Sequence, residues 1–288
     1  MGGVLKAVLV EGILVGGRLS LFAAGFTILF GGLRMPFVAY GQVVLFGAYG
    51  IWTAHEFLQQ NYFVAAGATL IVLFPLLMLS ERFLFRRLYT DPYPVIVYLI
   101  LTIGLTQILS NIIELVYTVD PRTLFTPYLS QNIEPLGLRM TVADLISIVV
   151  TYTVLFGVAF LVSFTRFGRA LRAMVQDRET AMLMGVDIVR LSRNAYLLAM
   201  SLAVVGGMIF TLVSSFSPDL APGLAGILFV IVLVGGAGSI FGSMFIALAF
   251  GMVQAAAPVF MPPYLVDLSI YSILFLVLLS KPEGLFTR

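Results

Sequence analysis

The chain has 288 residues, of which 60% are hydrophobic and 10% are charged, and its formal net charge is +2. An average globular domain carries about 25% charged residues and roughly 45–50% apolar residues, so the composition excludes an ordinary soluble protein. A nucleic-acid binder would concentrate basic residues on one face, which a charge this small argues against. One bilayer crossing takes about 20 apolar residues. The sequence therefore predicts an all-α polytopic membrane protein with eight or nine transmembrane helices.

Charged residues, prolines and glycines separate the predicted spans. The apolar stretches cover residues 12–33, 43–58, 62–80, 95–113, 141–163, 195–215, 224–240, 241–258 and 267–281. Residues 224–258 are long enough for one tilted helix, but four glycines favour a break between two: Gly235, Gly236, Gly238 and Gly242. We treat residues 1–288 as a single transmembrane domain.

The basic residues predict the orientation. Segments 80–94 and 163–194 hold nine of the sixteen Lys and Arg residues. Two spans lie between these segments, so both face the same side, which the positive-inside rule identifies as the cytoplasm. The C-terminus is then cytoplasmic and the loop 114–140 is outside. The side of the N-terminus depends on whether 12–33 is one full crossing, and the sequence leaves it open.

Catalytic and cofactor-binding motifs are not found in the sequence. The chain has one histidine, His55, and no cysteine, too few for a metal cluster or a Ser-His-Asp set. A phosphate-binding loop needs a lysine, which the glycine-rich run 235–242 lacks. We expect a chain that is not an enzyme and binds no metal or cofactor. In that run, Gly238 and Gly242 form a GxxxG pair, which favours close helix packing over a hinge or a backbone-lined pathway.

Polar residues at membrane depth usually face protein or water. Four amides are candidates for lining a pathway: Gln42, Gln107, Asn111 and Gln254. The alternative for each is an interhelical hydrogen bond worth about 0.6–2 kcal/mol. Four carboxylates near predicted span ends are expected at the membrane interface: Glu11, Glu114, Asp144 and Asp267.

Segment 164–194 is the main non-membrane stretch, and its pattern predicts two short amphipathic helices. Leu171, Met174 and Val175 belong to an apolar stripe with helical spacing that continues to Met182. Asp177 is placed to cap the second helix and Gly185 to end it. The pattern favours a protein docking surface over a helix pair resting on lipid headgroups.

Four stretches give the chain a resemblance to a known family. They are EGILVGGRLSLFAAGFTILFGGLR (11–34), GRALRAMVQDRETAMLMGVDIVRLSRNAYLLAMSLAVVGG (168–207), VLVGGAGSIFGSMFIALAFG (232–251) and SKPEGLF (280–286). In this order they resemble the permease subunits of branched-chain amino-acid ABC importers, bacterial inner-membrane proteins. The resemblance implies that 168–186 is a coupling element for an ATPase. Within it, we expect six residues to serve the coupling: Arg169, Arg172, Asp177, Glu179, Ala181 and Gly185.

The resemblance also implies the partners. They are a second, unlike permease subunit that makes a heteromer, one or two cytoplasmic ATPase subunits that use ATP and Mg, and an extracytoplasmic solute-binding protein. The chain itself is expected to contact membrane lipid and no nucleic acid. The chain departs from the family at Phe37, Tyr40 and Gln42, where members commonly carry Asn, His and Glu. If these residues line the path, the solute is more apolar or aromatic than urea.

Two other classes fit parts of the sequence. Composition alone would equally allow a stand-alone channel or facilitator for a small neutral solute such as urea or an amide, but this class has no need of the patterned segment 168–186. A non-transporting assembly subunit has little reason to place amides at membrane depth. The sequence does not identify the solute.

Overall fold

The structure is a computed structural model that describes residues 2–58, 61–90, 94–124, 126, 128–134, 140–260, 262, 265–266, 268, 272, 276–277, 279–281 and 284–286. Within these residues the chain is almost entirely helical. The α-helices are α1 (Gly2–Thr27), α2 (Tyr40–Leu58), α3 (Tyr62–Ser80), α4 (Pro94–Tyr117), α5 (Val142–Phe164), α6 (Arg166–Gln176), α7 (Arg178–Leu183), α8 (Ile188–Val213), α9 (Leu220–Gly235) and α10 (Ile240–Phe260). A short antiparallel pair, β1 (Asn132–Ile133) and β2 (Met140–Thr141), precedes α5.

Six helices within the described residues are long and apolar enough to cross a membrane, which confirms a polytopic all-α membrane fold. They cover Lys6–Gly32, Tyr62–Tyr89, Val95–Tyr117, Val142–Phe164, Ile188–Val213 and Ile240–Phe260. The predicted spans 43–58 and 224–240 correspond to α2 and α9, which are not among the six. The predicted span 267–281, with Asp267, lies largely outside the described residues.

Helix α1 forms the centre of the fold. In its most apolar stretch 83% of the residues are buried, against 11% in α3, so α1 is surrounded by protein and α3 faces outwards. It packs mainly against α10, and also against α8, α5 and α9. Two buried polar residues of α1 have partners inside the protein: Ser20 Oγ donates to the Met244 carbonyl at 2.9 Å, and Arg18 Nη1 donates to Ser214 Oγ at 2.8 Å.

The two arginine-rich segments meet at one end of the molecule. Beyond α3, a π-helical turn (Glu81–Phe85) and a 3-10 turn (Arg86–Thr90) run beside the start of α8. Arg178 of α7 donates a hydrogen bond to the Tyr89 carbonyl oxygen. We call this end the basic face. At the opposite end, Arg122 and Phe216 exchange backbone hydrogen bonds of 2.8 and 2.9 Å, which join the loop after α4 to the end of α8.

The expected helix break between α9 and α10 is present. Helix α9 ends at Gly235, and the backbone then turns through Gly236 and Gly238, whose φ angles are 96° and 104°. These left-handed angles are readily adopted by glycine alone. A Cβ on Gly242 would lie 2.3 Å from the Gly235 carbonyl oxygen, so the two helices approach too closely for a side chain there. The break therefore depends on glycine at both the turn and the contact.

Candidate translocation cavity and docking face

A cavity of about 1020 Å³ opens at the surface between α1, α2, α4 and α9. It reaches the basic face, where Val175 of α6 contributes to its wall. Its described lining is apolar apart from three residues: Arg34, Gln42 and Thr106. This space is a candidate translocation path, and we call it the translocation cavity. Its composition suits a solute with a large apolar part and a small number of polar groups.

One wall of the translocation cavity is aromatic. The rings of Phe30 and Phe229 meet edge to face with 5.2 Å between their centroids, and Phe26 lies 6.1 Å from Phe30 and 6.4 Å from Phe229. Phe26 and Phe30 are four residues apart on one face of the helix that ends at Gly32, and Phe229 projects from α9. This arrangement provides a rigid apolar surface for a branched or aromatic side chain.

The chain folds back between α1 and α2. A π-helical turn, Ile28–Gly32, extends α1, and residues 33–39 are then non-helical. The Tyr40 ring lies 5.5 Å from that of Phe26, so the first residue of α2 packs beside α1, level with a residue six positions before the end of this turn. The N-terminal end of α2, which carries the positive end of its dipole, is thereby brought to the cavity wall.

Gln42 is the polar group of this fold-back. Its residue is 2% exposed and lines the cavity. Its Nε2 donates to Ser110 Oγ at 2.5 Å, while Oε1 is buried without a hydrogen-bond partner. Since Ser110 can also donate, turning the amide over would free Nε2 instead of Oε1. In either orientation one polar amide atom has no hydrogen-bond partner, at a cost of about 1–3 kcal/mol.

Arg34 is the charged residue of the described cavity lining. It is exposed, and it has no ion pair with any described residue. Its φ angle is 54°, a left-handed conformation that glycine or asparagine normally adopts at helix ends. For an arginine this conformation costs about 1–2 kcal/mol. A strained and unpaired cation at the cavity is a candidate for anion recognition.

The other predicted pathway residues lie away from the described cavity wall. Phe37 is buried against Phe85 and Tyr196, with centroids 5.4 and 6.1 Å away. Tyr40 is fully buried, and its hydroxyl donates to the Ala199 carbonyl oxygen at 3.4 Å. These two aromatics are therefore core residues, not cavity residues, because the fold-back turns them towards α8.

The remaining amides also lie outside the described cavity lining. Gln107 and Asn111 lie on the exposed side of α4, where Asn111 Nδ2 donates to the Gln107 carbonyl oxygen at 2.7 Å. Gln254 is half-buried on α10. A carbonyl one turn back satisfies Asn111, so its position at membrane depth does not require a pathway.

On the basic face, α6 and α7 form the two short helices that the sequence predicts. Thr165 caps α6 through its hydroxyl, which accepts from the Gly168 N–H at 3.2 Å. Asp177 caps α7 by accepting from the N–H groups of Glu179 and Thr180 at 3.0 and 3.1 Å. Hydrogen bonds from the Thr180 hydroxyl and these N–H groups hold the pKa of Asp177 below its usual value. Gly185, with φ 87°, follows the end of α7.

The two helices divide their residues between core and surface. Leu171 and Met174 are buried, as the stripe predicts, but Met182 is 49% exposed because the turn at Asp177 ends the stripe. Ala181 is buried, whereas Leu183 and Met184 are 88% and 81% exposed. The C-terminal end of α7 thus presents three adjacent apolar side chains on the basic face. We call Met182–Met184 the apolar tip.

The charged residues of this segment have different roles. Arg169 and Glu179 are exposed and free of ion pairs within the described part of the chain. Arg172 donates to the carbonyl oxygens of Val162 and Ser163, so its guanidinium holds the end of α5 against α6. Arg172 is therefore a structural residue in addition to any contact it makes with a partner.

Sequence comparison assigns the family. The model of a family described as the permease component of branched-chain amino acid transport systems matches residues 8–279. The chain belongs to this permease family. The permease is 29% identical over 298 residues to the high-affinity branched-chain amino acid transport system permease protein BraD of Pseudomonas aeruginosa, with 97% of this chain and 95% of BraD covered.

Two further comparisons extend this assignment. The permease is 25% identical over 293 residues to LivH, the corresponding protein of Salmonella typhimurium and of Escherichia coli K12, with coverage of 96% and 94%. Its fold is similar to a solved structure described as PsaBC from Streptococcus pneumoniae in complex with Fab, with a TM-score of 0.50, 14% identity and coverage of 96% and 91%. The family assignment disfavours the stand-alone channel.

Sequence reasoning missed most of the cavity wall of this permease. Phe26, Phe30 and Phe229 are indistinguishable in sequence from the other phenylalanines of an apolar chain. Arg34 carried a usable signal, since it follows two glycines and precedes Pro36 at the end of a predicted span. A charge at such a position predicts a non-helical segment at the span end.

Proposed function

We propose that this permease forms part of the translocation path for branched-chain or related apolar and aromatic amino acids in an ABC importer. The translocation cavity carries the proposal, because an aromatic wall and few polar groups match a solute with an apolar side chain. The names of BraD and LivH, both branched-chain amino acid permeases, support the same solute class.

The cavity supplies a partner for each part of an amino acid. The Phe26, Phe30 and Phe229 wall would pack against the side chain. Arg34 and the positive end of α2 would attract the carboxylate, as broken-helix ends do in other transporters. The free amide atom of Gln42 would accept from the ammonium group or donate to the carboxylate, depending on its orientation.

The basic face is the proposed ATPase docking site, with 168–186 as the coupling element. The apolar tip and the exposed Arg169 and Glu179 support it, since protein interfaces combine an apolar centre with a polar rim. Binding of ATP would close the ATPase subunits, and the paired helices α6 and α7 would transmit the movement. Arg172 would contribute by keeping α6 attached to α5.

The glycine turn between α9 and α10 is the proposed hinge. Gly238 lies against Val175 of α6, since a Cβ there would be 3.0 Å from Val175 Cγ1. A movement of α6 would therefore reach the turn directly. Leu285 N–H donates to the Val234 carbonyl at 2.9 Å, so the C-terminal residues also contact this region.

The remaining features of the proposal concern topology and partners. The basic face would be cytoplasmic, as the positive-inside rule requires, and the C-terminus with it. The loop 114–140 at the other end would receive an external solute-binding protein. A second permease subunit, in a heteromer, would complete the path, and eight or nine spans would cross the bacterial inner membrane. The permease itself would bind no cofactor, and the ATPase partners would use ATP and Mg.

The test is solute uptake by the complex reconstituted with its ATPase and solute-binding protein. The panel contains leucine, phenylalanine and urea. We expect uptake of leucine, phenylalanine or both that requires ATP, and none of urea. Uptake without ATP would contradict the proposal of an ATP-driven importer. Preference for urea would contradict the proposed role of the aromatic wall.

A further inference from the structure

A second cavity, of about 410 Å³, lies on the basic face between the turn after α3 and the start of α8. Arg82 and Arg86 line it from the first element, and Arg193 and Asn194 from the second. All four are exposed, and none of the three arginines has an ion pair with a described residue. This cavity is separate from the translocation cavity, so an ABC permease has no evident use for it in moving its solute.

The charge of this cavity is positive. Its described lining contains three arginines and one carboxylate, Glu81, which is 3% exposed and has its Oε1 buried without a partner. The net formal charge of the lining is therefore +2. Arginine presents several donors in a fixed plane, so three of them around one space suit a phosphate group.

The apolar side of the cavity indicates where the phosphate group comes from. Met78 and Leu197 complete the lining, and Met78 is 46% exposed. From there α3 presents a continuous apolar surface, with Ile71 76%, Phe74 40% and Leu79 53% exposed. A free phosphate ion has no use for such a surface, whereas the acyl chains of a lipid would cover it.

We propose that the cavity binds the headgroup of an anionic phospholipid of the adjacent leaflet, with its acyl chains lying along α3. Basic pockets between helices at the membrane surface are suited to such headgroups. The bound lipid would hold the turn after α3 against the start of α8. Both elements belong to the basic face, on which α6 and α7 also lie.

The experiment is native mass spectrometry of the full chain purified in neutral detergent. Phosphatidylglycerol, phosphatidylcholine and inorganic phosphate are added separately and together. We expect phosphatidylglycerol to stay bound under conditions that remove phosphatidylcholine, and excess inorganic phosphate not to displace it. Displacement by phosphate would overturn the proposal, because it would show a site for free anions. Equal retention of phosphatidylcholine would also overturn it, because it would show a site that does not select for charge.

Variants locate the binding. Replacing two of the arginines, R82Q with R193Q, should weaken retention of phosphatidylglycerol about thirtyfold. The matched double variant R166Q with R169Q removes two exposed arginines of the same face that also have no ion pair with a described residue, and it should change retention less than about twofold. R82K with R193K keeps the charges and should recover most of the binding, which excludes a loss of fold. Equal losses in both glutamine variants would overturn the assignment to this cavity.

Discussion

Gly16 of α1 and Gly251 of α10 lie in direct backbone contact. A Cβ built on Gly251 would be 2.1 Å from the Gly16 Cα, far inside the range of real contacts. The same helices share a second glycine contact, where a Cβ on Gly12 would be 3.2 Å from the Met252 Cα. Lipid offers no hydrophobic drive for helix association, so such close packing is the means by which α10 holds the central helix.

Replacing Gly251 with valine should therefore destabilise the fold. The two helices cannot separate without disturbing other contacts of α1, and overpacking of this kind costs roughly 3 kcal/mol. The yield of monodisperse protein in detergent and its thermal midpoint measure the effect. Gly157 is the matched control, because a Cβ there meets nothing within 4 Å. If Gly157→Val is equally harmful, the loss arises from valine itself and not from the contact.

Replacing Gly238 with valine should reduce transport. The substituted residue would have to keep a φ of 104° and would also press on Val175, at a cost of about 1–3 kcal/mol. Gly223 of α9 has open space around it, so Gly223→Val should leave ATP-dependent uptake near normal. Full uptake by the Gly238 variant would remove the hinge from the mechanism.

Replacing Arg34 with glycine should separate stability from function. Glycine relieves the left-handed backbone and should raise the stability of the fold by roughly 1 kcal/mol. Loss of the guanidinium should nevertheless raise the KM for amino acids at least about tenfold, the value of one charge-assisted hydrogen bond. Thermal melting and uptake kinetics measure the two effects. Arg34→Lys, which keeps the charge, should fall between wild type and the glycine variant. An unchanged KM in the glycine variant would show that Arg34 does not contact the solute.

Replacing Gln42 with leucine should lower amino-acid uptake about tenfold, because one hydrogen bond to the solute is lost. The fold should lose little stability, because removal of a buried unpaired atom offsets the loss of the hydrogen bond to the half-buried Ser110. Gln107→Leu is the same chemical change on the exposed side of α4 and should leave uptake unchanged. Equal uptake by both variants would exclude Gln42 from the path.

Replacing Tyr40 with histidine, in contrast, should reduce the amount of folded protein without altering solute preference, because Tyr40 is a core residue.

Replacing Leu183 with aspartate should weaken ATPase association roughly thirtyfold while the permease still folds. The side chain is 88% exposed, so the change disturbs no contact within the described chain, and burial of an apolar anchor is worth about 2 kcal/mol at an interface. Co-purification with the ATPase is the measurement. Val119→Asp introduces the same charge at the opposite end of the molecule and should not affect it. Normal co-purification of the Leu183 variant would move the docking site away from the apolar tip.

The sequence predicts the outline of this fold because residues close to each helix end mark where the helix begins or stops. Charges and prolines mark the ends of α3, α4 and α5, and the cap at Asp177 and the turn at Gly185 need only neighbouring residues. The glycine break after α9 is likewise a local property of the backbone. All of these predictions are confirmed in the structure.

The walls of the cavity could not be predicted in this way. Whether Phe37 or Phe30 faces the cavity depends on the fold-back of residues 33–39, which is set by contacts with α8 and α4. Thr102 Oγ1, for example, donates to the Pro36 carbonyl at 3.1 Å, across 66 positions of the chain. Polarity favoured Gln107 and Asn111 as pathway residues, but one turn of helix is enough to satisfy Asn111.

The burial of α1 has a consequence for biogenesis. This helix is translated before α5, α8 and α10, the helices that enclose it, because domains are made from the N-terminus onwards. Until they arrive, the guanidinium of Arg18 has neither Ser214 nor the ring of Phe210, which it later contacts at 5.2 Å. An intramembrane arginine left in this state is costly. Helix α1 thus reaches its final surroundings only after α10 has been synthesised.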